Sequence, residues 1–167
     1  WVAVDLGATL AFTSGGTYEP QAGDTITGAT SASTAVITRV ELVSGTWAGG
    51  DAAGTLTIRA QSAAFVGEDL NVGTNLNVCS VAGDSAAVTL VAGGRYEFIT
   101  YNTMATGSGK KMYGVDGKNK MFQFDGANFL QIATGYLPDT PVHVWGHKLH
   151  LLVAMADGVV MNSGLKK

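Results

Sequence analysis

Only one cysteine, Cys79, occurs in the 167 residues. That excludes an internal disulfide and any zinc site built on several thiolates, and leaves Cys79 as a small apolar side chain for a core. Charge is thin as well: Asp, Glu, Lys and Arg supply 14% of the chain, against ~25% in an average soluble domain. Long apolar runs are missing, and stretches such as LHLLVAMA fall far short of the ~20 residues of a membrane-spanning helix. No signal-peptide pattern heads the chain. No window of a dozen residues carries a capped, amphipathic helical repeat. No serine sits in a nucleophile-elbow frame and no carboxylate pair stands apart from turns, so no catalytic residue, metal ligand or cofactor is expected and the chain reads as a non-enzyme.

What is present is alternation. STAVITRVELV places Val36, Thr38, Val40 and Leu42 on one side of an extended strand and Ile37, Arg39 and Glu41 on the other. GTLTIRAQ repeats the device with Leu56 and Ile58 inward and Thr57 and Arg59 outward, and SAAVTLVA adds Val88 and Leu90. SGTWAGGDAAG and VAGD between these runs are turn-forming. A short echo links GDTITGAT at 23–30 with GEDLNVGT at 67–74, 44 residues on, and is consistent with two related hairpins.

Charge changes along the chain. Residues 1–94 hold two basic groups, Arg39 and Arg59, against eight acidic ones, whereas 95–167 hold eight basic against five acidic. The vocabulary shifts at the same place, to RYEFITYN, KKMYGVDG, NKMFQFDG and PVHVWGHKLHLLVAMADGVVMNSG. Asp116-Gly117, Asp125-Gly126 and Asp157-Gly158 each close an apolar or alternating run, a strong tight-turn signal. This predicts an antiparallel meander, enough for about one and a half propeller blades. The opening WVAVDLGATLAF is closer in style to the later region. The expected organisation is therefore all-β: residues 1–19 as strand of a host fold, 20–94 as an inserted small β-barrel or β-sandwich domain, and 95–167 as a propeller-like meander. A start at Trp1 and a finish at Lys166 and Lys167 suit a piece of a longer polypeptide.

GDTITGATSASTAVITRV, SGTWAGGDAAGTLTI and FVGEDLNV together resemble a small β module that recurs in tailed-bacteriophage virion proteins. YEFITYN, KMYGVDGKNKMFQFDG, PVHVWGHKLHLLVA and the late NSG resemble the propeller-type portion of phage tail or nozzle proteins. The resemblance spans nearly the whole chain and departs from the module's pattern at Ser33. It implies a non-enzymatic building block of a virion tail, as nozzle or hub or beside the head-tail connector. The partners it implies are copies of the same chain in a ring, neighbouring virion proteins and, transiently, genomic DNA in a channel.

Several residues invite chemistry. His143, His147 and His150 lie close in sequence, as metal ligands often do, but a strand, a turn and another strand would separate them, with the rings bonded to backbone or facing solvent. GSGKK at 107–111 lacks the phosphate-loop frame and precedes a strand. Lys110, Lys111, Lys118 and Lys120, with Tyr113 and Phe122 among them, lie on or beside one expected hairpin and would suit passing contact with phosphates or protection of a sheet edge. Trp47, Trp145, Lys110 and Lys111 are the candidate interface residues, large amphipathic rings being favoured at interface centres. Packing faces are expected from Val36, Val40, Leu42, Leu56 and Ile58, and from Phe122, Phe124, Leu149, Leu151 and Val153. A second reading has the inserted module bind a host glycan or receptor through the Thr/Ser-rich loops at 25–35 and Trp47.

Overall fold

The computed structural model describes residues 3–16, 18–103 and 109–164. Among these the fold is all-β, with fourteen antiparallel strands in three sheets and no helix. The chain divides into two units, residues 1–88 and 89–167.

The first unit contains β1 (Ala8–Gly15), β2 (Thr25–Gly28), β3 (Thr34–Ser44), β4 (Ala52–Arg59), β5 (Glu68–Val72), β6 (Asn75–Val81) and β7 (Ala86–Ala87). The first six close on themselves in the order β1-β4-β3-β2-β5-β6, with β7 added beside β1. Closure comes from β1, which pairs with β4 along Ala8–Phe12 and meets β6 where Thr13 faces Ser80; the Gly16 N–H then donates to the Val78 carbonyl at 2.7 Å. A closed barrel leaves no sheet edge among its six strands. Its interior is filled by Leu10, Phe12, Ile26, Ile37, Leu56, Ile58, Leu70, Val78 and Cys79.

This assigns the opening strand differently from expectation. Ala8–Gly15 belongs to the barrel rather than to a host sheet, and the boundary falls at Val88–Thr89 rather than after residue 94. The faces of β3 also differ. Ile37 pairs with Ile58 and Arg39 with Thr57, so Thr38 is an extra residue, and a bulge of that kind exchanges the two faces of a strand. Before it Ala35 and Ile37 point inward and Val36 is half-buried; after it Val40 packs on the core. Leu42 is 45% exposed, beside a second shift between Leu42 and Ser44. Leu56 and Ile58 are fully buried as expected. The echoing segments become β2 and β5, which open the hairpins β2–β3 and β5–β6 and pair with each other, Ile26 opposite Val72.

The second unit holds two meanders. β8 (Glu97–Tyr101), β9 (Lys111–Val115), β10 (Met121–Phe124) and β11 (Phe129–Ile132) form a four-stranded sheet in chain order. β12 (His143–His147), β13 (His150–Ala154) and β14 (Val160–Asn162) form a three-stranded one. All three Asp-Gly pairs are turns, with Gly117, Gly126 and Gly158 at positive φ. Asp116 Oδ1 accepts the N–H groups of Lys118 and Asn119, and Asp125 Oδ1 those of Ala127 and Asn128. Each aspartate's second oxygen takes the side-chain amide of the asparagine three residues on. Their carboxyls lie below the usual range: burial opposes ionisation, and these donated hydrogen bonds outweigh it.

Candidate functional site

The inner faces of the two meanders pack together through Ile99, Tyr101, Tyr113, Val115, Met121 and Ile132 on one side and Val144, Leu151, Val153, Met155 and Met161 on the other. Alternation on each strand delivers these residues to one face. Along β8 the sheets are fastened. Glu97 Oε1 accepts the Val144 N–H at 3.0 Å, and its Oε2 lies 2.9 Å from His143 Nδ1. The His143 hydrogen bond, then the Val144 N–H, hold the Glu97 carboxyl below its ordinary range. The Tyr101 ring lies flat enough on Gly146 that a Cβ there would approach its Cε2 to 2.5 Å, and its hydroxyl accepts the Leu149 N–H at 3.2 Å.

Away from that seam the sheets part around a cleft of about 410 Å³. Its floor is apolar, from Tyr113, Met121, Ile132, Leu151, Val153 and Met161. Its rim is polar, from Thr103, Gln123, Thr134, Asn162 and Ser163, and Lys111 brings the charge among the lining residues. The volume is within the ~300–1,000 Å³ of ordinary ligand pockets. An apolar floor beside an ammonium suits apolar side chains accompanied by a carboxylate.

Of the candidate residues, Lys111 reaches this cleft and Lys110 is exposed beside it. Trp145 is 39% exposed on β12, opposite Leu152. Trp47 is no surface anchor: it is 8% exposed and stacked on Phe12 at 5.1 Å between ring centroids, because the loop after β3 folds it over the barrel core. The four lysines form no single stripe. Lys110 and Lys111 stand at one end of β9 and Lys118 and Lys120 beyond its other end, a strand length of roughly 13 Å away. Tyr113 and Phe122, expected among them, are buried on opposite faces, Tyr113 in the inter-sheet core and Phe122 against Phe98 and Phe129.

The histidines follow the hairpin reading. His143 faces Glu97, His147 is exposed, and His150 Nδ1 donates to the Ser163 carbonyl at 2.6 Å. The turn falls at Lys148 and Leu149, both at positive φ; Leu149, expected in the packing face, therefore sits in the turn, and Gly146 is in strand. Phe122, Leu151 and Val153 are buried and Phe124 half-buried. No cluster of three or more metal-ligating side chains occurs among the described residues. Gly107 and Ser108 of GSGKK lie outside the described residues; Lys111 starts a strand. No described helix is long and apolar enough to cross a membrane.

Sequence reasoning missed three features. Glu68 is buried and gathers the Thr30 and Ser31 N–H groups and the Ser31 hydroxyl; a lone acid in GEDLNV carries no sign of that. The Asp-Gly-x-Asn repeat at 116–119 and 125–128 was legible, since asparagine recurs at the same offset. The cleft depends on strands far apart in the chain and has no local signal. Comparison with known proteins finds no matching family model, no matching curated protein and no matching solved structure.

Proposed function

We propose that the chain is a non-enzymatic structural component of a tailed-phage virion, in the tail nozzle or hub or beside the head-tail connector, assembled with copies of itself and neighbouring virion proteins. The motif resemblance supplies the virion. The observation that supports an assembly role is the stacking of two successive antiparallel meanders, β8–β11 and then β12–β14, in the manner of consecutive propeller blades. Blades of that kind complete their cores by packing on further blades or subunits. Channel contact with DNA, where it occurs, would be brief, because Lys110 and Lys111 stand apart from Lys118 and Lys120.

Receptor binding by the barrel is the second reading, and its residues are largely committed elsewhere. The Ser31 hydroxyl donates to Glu68, the Ser33 hydroxyl to the Ala63 carbonyl, and Trp47 is in the core. Immunogold electron microscopy with antiserum against the chain is expected to label particle tails; label on the capsid shell alone, or on no particle, overturns the proposal. Deleting residues 1–88 removes the whole barrel, whereas deleting only the expected insert, 20–94, would leave β1 without β4. Particles that assemble without the barrel but fail to adsorb would favour the receptor reading.

A further inference from the structure

Among the described residues the three-stranded sheet ends at β14, whose outer edge runs beside the cleft with no further strand paired to it. The direction of the backbone groups there follows from the ladder. The Met155 N–H donates to the Val159 carbonyl and the Ser163 N–H to the Leu151 carbonyl, both at 2.8 Å, and Met161 is opposite Val153. In an antiparallel pair successive residues alternate between facing the partner and facing away. Residues 159, 161 and 163 therefore face β13, and the N–H and C=O groups of Val160 and Asn162 point out along the free edge. Both residues are exposed, Val160 by 53%.

The facing sheet has a fourth strand, β11, and its Ile132 lines the cleft together with Met161 of β14. A strand laid on the edge of β14 would occupy the corresponding fourth position. With a side-chain period of two, every other residue of that strand would enter the cleft against Met121, Ile132, Leu151 and Met161. The floor selects apolar residues there, and Lys111 selects a carboxylate at the rim.

We propose that this cleft is a docking groove for an extended segment of another polypeptide, which adds as a strand to β14, buries alternate apolar side chains and places an acidic residue at Lys111. Main-chain hydrogen bonds supply affinity in such strand addition, and the pockets for alternate side chains supply specificity. The proposal deepens the assembly reading by naming the contact through which a neighbour attaches. It is tested on the purified chain, so it stands or falls apart from where the chain sits in a particle.

The probe is a synthetic peptide of residues 127–134, ANFLQIAT, the segment that forms the fourth strand of the facing sheet, and a second version with one added aspartate. Amide exchange followed by NMR on the full chain should show the Val160 and Asn162 amides slowing at least tenfold on saturation. Asn162→Pro removes an outward N–H and no bond to β13, a position where an edge strand tolerates proline; it should weaken binding at least tenfold, read at Val160. Val160→Pro, read at Asn162, gives the same test should the first variant lose its fold by circular dichroism. Lys111→Gln should abolish the preference for the aspartate peptide. The proposal is overturned by no saturable binding at millimolar peptide, by binding that the proline variants leave unchanged, or by perturbations confined to the Tyr96–Phe98 face. It is also overturned if both amides are already protected in the monomeric chain alone, because the edge is then covered by the chain itself.

Discussion

The Ser31 hydroxyl donates to Glu68 Oε1 at 2.6 Å, joining a turn after β2 to the first residue of β5, 37 residues away. Glu68 Oε2 accepts the Thr30 and Ser31 N–H groups at 2.6 and 2.9 Å, and the Val66 N–H reaches Oε1. Gly28 is glycine because any Cβ there would collide with this carboxylate and the Ser31 hydroxyl. One ionised side chain thus fixes the turn that sets the register of β2 against β3.

The first prediction concerns that carboxylate. Burial opposes its ionisation, but the Ser31 hydroxyl and the Ser31, Val66 and Thr30 N–H groups bring its pKa down from 4.5 to about 2. A depressed acid stabilises the fold fully above its unfolded value and loses that contribution as pH falls through the folded one. Barrel stability should therefore hold above pH 4.5 and decline between 4.5 and 2. Glu68→Gln should cost about 1–3 kcal/mol at neutral pH through donors left without an anion, and should flatten the acid dependence, leaving the smaller part due to Asp84. Urea unfolding across the pH range measures both; a variant as acid-sensitive as the parent refutes the assignment.

How much was legible follows from such contacts. Asp116, Asp125 and Asp157 were readable as turns because their chemistry is local: each precedes a glycine that takes positive φ. Leu56 and Ile58 were readable because β4 keeps an unbroken period of two at that point. Val36 was misassigned because a bulge at Thr38 is set by the partner strand and leaves no mark in an alternating run. β1 was misassigned for a similar reason, since its place depends on β4 and β6, more than 35 residues downstream. Of the candidate site, Lys111 was found by its charge; the apolar floor it borders is assembled from five strands and had no contiguous signature.

Trp47 and Trp145 should behave oppositely. Trp47 is buried and stacked on Phe12, so Trp47→Ala should destabilise the barrel by about 3–5 kcal/mol. Trp145 stands half out of the sheet, so Trp145→Ala should change stability by less than about 1 kcal/mol. Thermal unfolding by far-UV circular dichroism distinguishes them. Equal losses would contradict the burial assigned to the two rings.

Gly114 should tolerate no side chain. It is opposite Phe122 on β10, whose ring covers the position where a Cβ would stand, and that ring is pinned by stacking on Phe129 at 4.9 Å. Its backbone is ordinary strand, so the obstacle is space rather than φ. Gly114→Ala should cost about 1–3 kcal/mol, confined to the second unit. Hydrogen exchange read segment by segment should show faster exchange in β8–β11 and none in the barrel; an unchanged β9–β10 hairpin would mean the ring moves aside freely.

Cys79 reports on the barrel's opening. It is 1% exposed on β6 opposite Leu70, and burial, helped by the charge of Asp69, pushes its thiol from 9.0 up to about 12. A thiol so raised is almost wholly protonated at neutral pH, and the thiolate is the reactive form. A thiol reagent should therefore label the folded chain only through molecules that have transiently opened, at a rate set by the opening equilibrium when reclosing is fast. Destabilising the barrel by about 2 kcal/mol with Glu68→Gln should then raise the labelling rate about 30-fold, at a tenfold change per ~1.4 kcal/mol. Gly114→Ala, which loosens the other unit, should leave it alone. Labelling at the rate of a free thiol, or at one indifferent to Glu68→Gln, would place Cys79 outside the closed barrel and break the link between its strands and that carboxylate.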